Sequence, residues 1–293
     1  MHARLSGIFP PIPTSFDASG DIDTHAITAN VTRWMTTRLS GVLALGSNGE
    51  ASLLDESESD YVLAAARQAV PSSKLLIAGT GRESTRATID ASRRAADLGA
   101  DAVLVRPPAY YKNQMTNDAL IDHFTRVADA SPVPVLLYNL PATGVVLTLP
   151  VVSALAKHPN VAGMKETSPE LERLGQFTAI RPDFAVLSGW APVIYPAMGL
   201  GAAGGILAVA NVLPDRCVDL YEHARAGRHD EALALQRAIT PLAQMVSSIH
   251  GIAGLKVALT HLGFPVGPCR GPLQALPETV RTTITRAVDA LAN

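Results

Sequence analysis

A lysine at the end of an apolar run offers the most chemistry in this 293-residue chain. Lys165 closes Val161-Ala162-Gly163-Met164-Lys165, a short stretch with the character of a buried strand, and Glu166 and Thr167 follow it. A free ε-amine has a pKa near 10.4, so at pH 7 only about one in 2,500 is neutral. Burial disfavours the charged form of an amine. A neutral amine attacks a ketone to give a Schiff base. The competing reading is structural: a buried lysine paired with Glu166 or with a C-terminal dipole.

Other polar residues stand at the ends of similar runs. Gly46-Ser47-Asn48-Gly49-Glu50 brackets two small polar side chains with glycines, a turn that can aim N–H groups and a hydroxyl at a carboxylate. Tyr138 ends another run and is followed by Asn139-Leu140-Pro141-Ala142-Thr143-Gly144. A phenol there can give and take a proton if a neighbouring cation or hydrogen bond lowers its pKa. Tyr110-Tyr111 are adjacent in a chain with only six tyrosines, and packing at an interface is the plain alternative for them. Gly199-Leu200-Gly201-Ala202-Ala203-Gly204 matches GxGxxG, but it follows a helical stretch and opens a strand. A dinucleotide fingerprint needs the reverse order, so these glycines are read as close backbone packing.

The elements that must position these residues alternate regularly. Apolar runs occur at 7–11, 41–45, 74–78, 101–105, 133–138, 161–165, 184–188 and 205–209, each of strand length. Helical patterns lie between them. Ile27, Val31, Trp34 and Met35 mark one face, and 84–98 marks another helix ending at Gly99. Eight strands alternating with helices over about 210 residues favour a (β/α)8 TIM barrel over a doubly wound sheet. After about Arg225 the strands stop, and 228–249, 253–262 and 278–291 have helical patterns. The expected division is a barrel over 1–225 carrying the active site, and a helical extension over 226–293 packed on it. In such barrels the reactive groups gather at the C-terminal strand ends.

Composition narrows the partners. The net charge of −2 leaves no footprint for nucleic acid, and no basic run suggests a membrane surface. Cys217 and Cys269 have no CxxC spacing, and the eight histidines form no metal motif, so no metal or cofactor is expected. Residues 1–11 lack the features of a signal or transit peptide, and a cytoplasmic location is expected. The uncharged stretch 190–214 is long enough to span a bilayer. Its glycines and prolines instead give a buried helix, a tight turn and a buried strand.

Taken together, Gly46-Ser47-Asn48-Gly49-Glu50, Tyr110-Tyr111, Tyr138-Asn139-x-Pro141 and Gly163-Met164-Lys165-Glu166 resemble, in order and spacing, the dihydrodipicolinate synthase / N-acetylneuraminate lyase superfamily of class I aldolases. The likeness runs over essentially the whole chain. Within that superfamily it is closest to the 4-hydroxy-2-oxoglutarate aldolases, through Ser47-Asn48, His158 to Lys165, Gly251 to Lys256, and Gly267-Pro268-Cys269-Arg270. The resemblance implies that Lys165 is the Schiff-base lysine, Tyr138 the proton relay, and Ser47 and Asn48 the carboxylate-binding pair. It implies that Tyr111 enters a neighbouring subunit's site, and that Thr167, Gly189 and the Ile206 carbonyl line the pocket. It also implies a homotetramer.

One departure matters. The synthases and neuraminate lyases carry an arginine after Tyr-Asn-x-Pro-Ser/Ala, and Pro141-Ala142-Thr143-Gly144 has none and is one residue shorter. This argues against dihydrodipicolinate synthase and leaves the far end of the substrate without a reader. The expected activity is that of a carbon–carbon lyase, cleaving a 4-hydroxy-2-oxo acid to pyruvate and an aldehyde such as glyoxylate. The rivals are a 2-keto-3-deoxy sugar acid aldolase or dehydratase, dihydrodipicolinate synthase, and a non-catalytic binder.

Overall fold

The computed structural model describes residues 5–292. Met1 to Arg4, part of the N-terminal stretch considered above for targeting signals, and Asn293 lie outside the described residues. Eight strands form one parallel sheet: β1 (Gly7–Phe9), β2 (Gly41–Ala44), β3 (Leu75–Gly79), β4 (Ala102–Val105), β5 (Val135–Asn139), β6 (Val161–Glu166), β7 (Ala185–Ser188) and β8 (Gly204–Ile206). From β2 to β8 each pairs with the next, and β8 pairs with β1. A parallel bridge between Pro11 and Leu43 and the bond from Ser40 N–H to the Ile8 carbonyl (3.0 Å) bring β1 to β2 and close the ring. This is the (β/α)8 barrel the alternation predicts.

The surrounding helices are α1 (Thr24–Met35), α2 (Glu56–Ala69), α3 (Thr85–Asp97), α4 (Asn117–Ala130), α5 (Leu149–Leu155), α6 (Leu171–Thr178), α7 (Ile194–Gly199) and α8 (Pro214–Arg225). Several begin on a side-chain cap. Asp23, Ser84 and Thr116 each accept a bond from the N–H three residues on, and Asp55 and Glu58 form a reciprocal capping box. These caps set where each loop at the rim stops and each helix starts.

The strands are apolar throughout because both of their faces are covered. Phe9, Leu43, Ile77, Leu104, Leu136 and Leu187 fill the barrel interior. Residues of opposite parity, such as Val42, Val103, Val105 and Leu137, pack outward against helices carrying Trp34, Phe124 and Phe177. Lys165 and Tyr138 have the inward parity and cap this interior layer.

Some boundaries differ from expectation for plain reasons. β1 ends at Phe9 because Pro10 and Pro11 supply no N–H for a ladder. β8 ends at Ile206 rather than at 209, because Ala208–Asn211 tightens into a 3-10 turn. Asn211 pins that turn, donating to the Pro11 and Ala208 carbonyls (both 3.0 Å) and accepting from Trp34 Nε1 (2.9 Å). No helix among the described residues is long and apolar enough to cross a membrane. The stretch 190–214 holds a 3-10 turn, α7, β8 and a second 3-10 turn.

The C-terminal extension comprises α9 (His229–Gln244), a π-helical turn (Met245–Ile249), α10 (Gly251–His261) and α11 (Glu278–Ala292). It packs on the barrel through specific contacts. Phe264 stacks on Trp34 at 5.0 Å, the Arg33 guanidinium lies 3.9 Å from the Phe264 ring, and Asn30 Nδ2 donates to the Pro265 carbonyl at 3.0 Å.

Candidate active site

Register brings the two reactive groups together. Tyr138 of β5 lies directly beside Lys165 of β6, with the same inward parity. Lys165 Nζ is 3.3 Å from the Tyr138 hydroxyl and 4.4 Å from its ring centre. Ser47 Oγ approaches the same hydroxyl at 3.4 Å. Both Lys165 and Tyr138 are only 5% exposed, so the contact is shielded from bulk water. Burial pushes the phenol up. The charge on Lys165 and the hydrogen bonds from Ser47 and Lys165 outweigh it and hold Tyr138 below the ordinary tyrosine range.

Glu166 does not pair with Lys165. Asn139 and Glu166, the next residues along, face outward and bond each other, Asn139 Nδ2 to Glu166 Oε2 at 2.6 Å. Asn139 Oδ1 also accepts the Leu147 N–H at 2.9 Å. Arg173 stands 3.6 Å from Glu166 Oε1. Burial raises the Glu166 carboxyl despite Asn139, Ser168 and Arg173. The pair braces the strand ends from behind and leaves Lys165 to the interior.

The small-residue turn is held in an unusual backbone. Leu45 (φ 57°) and Glu50 (φ 54°) flank it in the left-handed region, which costs a non-glycine residue about 1–2 kcal/mol. Between them Ser47–Gly49 winds into a 3-10 turn. The opposing contacts are at Glu50. Its buried carboxylate pairs with Lys256 Nζ at 2.8 Å and accepts the Arg270 N–H at 2.8 Å. Arg270 in turn binds both oxygens of Glu58 (2.7 Å each), and Lys256 and Arg270 each lie 4.5 Å from the Phe16 ring. Burial lowers the Lys256 pKa against the pull of Glu50. The C-terminal extension thus anchors the turn from behind. Asn48 Nδ2 is buried with no hydrogen-bond partner among the described residues, as is Thr167 Oγ1, which lies near the phenol.

The remaining expected site residues divide into those at the rim and one that stands away. Thr167 donates its N–H to the Asn139 carbonyl (3.1 Å), and Gly189 donates its own to the Glu166 carbonyl (2.6 Å). A Cβ at Gly189 would lie 2.3 Å from Thr167 Oγ1 and 2.8 Å from Lys165 Cε, so only glycine leaves the lysine its place. Ile206 ends β8 in the interior layer. Tyr111 is 70% exposed on the loop after β4, edge-on to Tyr110 at 5.0 Å, and has no bond to Tyr138 within the described chain.

A cavity of about 700 Å³ opens above the barrel, walled by Ser47, Leu45, Tyr138, Leu140, Thr143 and Arg106, with Arg82 and Glu83 at its margin. It meets Lys165 through Tyr138. Arg106 is a residue the motif reading passed over. Its signal was parity, since it follows Val105 and shares the inward face of Leu104.

An amine and a phenol thus lie paired at the C-terminal rim of a barrel, beside an unsatisfied amide in a small-residue turn. A model of the dihydrodipicolinate synthetase family matches residues 4–291, and the chain belongs to that family of pyruvate-dependent class I lyases and aldolases. It is 36% identical over 281 residues to an uncharacterised DapA-like lyase of Halobacterium salinarum (96% of this chain, 92% of that one). It is 35% identical over 296 residues to a probable mitochondrial 4-hydroxy-2-oxoglutarate aldolase of Emericella nidulans (97% and 96%). Among solved structures it superposes on YagE, a prophage protein of E. coli K12 in complex with pyruvate, with TM-score 0.91, 30% identity and 98% coverage of both chains.

Proposed function

We propose that this chain cleaves a 4-hydroxy-2-oxo acid to pyruvate and an aldehyde, with 4-hydroxy-2-oxoglutarate yielding pyruvate and glyoxylate. The contact between Lys165 Nζ and the Tyr138 hydroxyl, 3.3 Å apart, carries the reading. In this scheme neutral Lys165 adds to the C2 ketone, and the carbinolamine loses water to give a protonated imine. The imine accepts the electron pair of the C3–C4 bond as that bond breaks. The 4-hydroxyl proton leaves as the aldehyde forms, and Tyr138 relays protons in both steps. The resulting enamine is protonated at C3 and hydrolysed to pyruvate and free lysine. Ser47 and the unpartnered Asn48 amide hold the C1 carboxylate, and Thr167, Gly189 and the Ile206 carbonyl line the pocket. The absence of an arginine in Pro141-Ala142-Thr143-Gly144 weighs against dihydrodipicolinate synthase.

The exposed Tyr110 and Tyr111 rings support a second element of the reading: a homotetramer in which Tyr111 reaches a neighbouring copy's site. Borohydride reduction with pyruvate, followed by peptide mass analysis, tests the reaction. A reduced pyruvyl adduct on Lys165 supports it, and no adduct overturns it. Turnover across a panel of small 2-oxo acids separates 4-hydroxy-2-oxoglutarate from sugar-acid substrates.

A further inference from the structure

The loop that lacks an arginine leaves unanswered what holds the end of the substrate away from Lys165. Arg106 sits immediately past β4, and the ladder pairs Leu104 with Leu136 and Val105 with Leu137. Continuing that register sets Arg106 level with Tyr138, which is itself level with Lys165. Two strand spacings of about 4.8 Å separate the Arg106 and Lys165 positions. C2 and C5 of a five-carbon acid are about 4 Å apart when extended. Arg106 lines the same cavity as Ser47 and as Tyr138, the partner of Lys165.

The surroundings hold Arg106 without using it up. Its two bonds, to Glu83 Oε1 (2.7 Å) and to the Pro107 carbonyl (3.1 Å), both come from Nη1. Nε and Nη2 have no partner among the described residues. A guanidinium offers five donors in a planar fork, and a carboxylate can take two of them in parallel. Arg82, the other cavity arginine, is differently placed, because Glu56 occupies its Nε (2.8 Å) and Nη2 (3.2 Å). Glu83 is itself fixed, accepting the Ala109 and Tyr110 N–H groups at 2.9 Å each. From its place in the cavity wall, its carboxylate therefore orients Arg106. Gly81 completes the arrangement. A Cβ there would lie 2.7 Å from both Arg106 N and Arg106 Cγ, so glycine lets the neighbouring strand end carry this side chain inward.

We infer that Arg106 is the reader of the substrate's distal carboxylate, and that it makes this site selective for 4-hydroxy-2-oxo dicarboxylic acids. The inference rests on the aldolase reading above and adds a residue to it. Charge-assisted bonds to one carboxylate are worth about 30- to 100-fold in discrimination.

The test compares kcat/KM for 4-hydroxy-2-oxoglutarate with that for 4-hydroxy-2-oxopentanoate, which has a methyl in place of the distal carboxylate. Wild-type protein, Arg106→Leu and Arg106→Lys are measured, with borohydride trapping of pyruvate on each. The expected result is a diacid preference that falls about 30- to 100-fold in Arg106→Leu and returns in part in Arg106→Lys, through a point charge without the fork. Pyruvate has no distal carboxylate, so its trapping on Lys165 shows that the variants are folded and tests the aldolase reading alone. If wild type traps pyruvate but shows no diacid preference, or the preference survives Arg106→Leu within threefold, the role of Arg106 is refuted and the aldolase reading stands. If wild type traps no pyruvate, the aldolase reading itself has failed.

Discussion

Gly189→Ala is the sharpest test of how the lysine is placed. The substitution adds one methyl group in a chain segment whose φ is ordinary for an L-residue, so the backbone has no reason to strain. The methyl would stand 2.3 Å from Thr167 Oγ1 and 2.8 Å from Lys165 Cε. To recover a contact of about 3.4 Å, Cε must retreat by about 0.6 Å and Oγ1 by about 1.1 Å, if the methyl itself stays put. Lys165 Nζ is already at 3.3 Å from the phenol, so a shift of that size carries the amine out of hydrogen-bond reach or off the line of attack. Displacements approaching 1 Å at a reacting centre cost up to about 100-fold in rate.

The expected result is a fall of about 10- to 100-fold in kcat, a slower rate of pyruvate trapping, and little change in the thermal midpoint. Steady-state kinetics with a coupled pyruvate assay, timed borohydride quenching and a melting curve supply the three readings. The double variant Thr167→Ala/Gly189→Ala removes the closer clash and leaves the one with Lys165. It should recover part of the rate but not all, a coupling that a merely loosened fold would not show. Activity of Gly189→Ala within threefold of wild type would refute the argument that this glycine sets the position of Lys165.

Other parts of the structure make separate predictions. Tyr138→Phe keeps the ring against Lys165 and removes the proton carrier. kcat should drop about 10²–10⁴-fold, with the imine still trappable at long times, and undiminished turnover would reject the relay. Lys256→Met leaves the buried Glu50 carboxylate without its cation and should cost about 3–5 kcal/mol in urea unfolding. Lys256→Met/Glu50→Gln should regain much of that loss, and equal stability of the two variants would argue against the pair as the anchor of the turn. His123 is buried, with its pKa pushed down to about 4, chiefly by desolvation. The unfolded chain binds that proton below about 6.5, so stability is lost as pH falls from there toward 4, by about 2 kcal/mol at pH 5. His123→Leu should lack this part of the slope between pH 7.5 and 5, and parallel unfolding curves for the two proteins would count against it.

The sequence shows the strands and their reactive ends because the information is local. A buried parallel strand is a short apolar run, and a lysine or a tyrosine at its end breaks the run visibly. Lys165, Tyr138 and the turn at Ser47-Asn48 are therefore each legible on their own. The anchor of that turn was not, because Glu50 and Arg270 are 220 positions apart and nothing near either names the other. Likeness to relatives drew attention to the segments around Lys256 and Arg270, and packing shows why they matter. Strand ends were missed by one to three residues where a proline or a 3-10 turn intervenes, as at Pro10 and Ala208.

Parity decides which chemistry each strand end can perform. Leu136, Tyr138, Leu187 and Leu104 point into the barrel, and the layer of Leu, Ile and Phe beneath them leaves the interior open only at the rim. Asn139 and Glu166 point out and join each other, so the same two strands carry a reactive pair on one face and a brace on the other. Slipping β6 by one residue against β5 would put Glu166 or Met164 beside Tyr138, and in the proposed mechanism either arrangement removes the imine-forming amine from the phenol. Under the proposed mechanism the register of this barrel is a catalytic constraint as well as a folding one. The outward bond from Asn139 to Glu166 ties the two strand ends together at this register, and the missing side chain at Gly189 leaves Lys165 room at the rim.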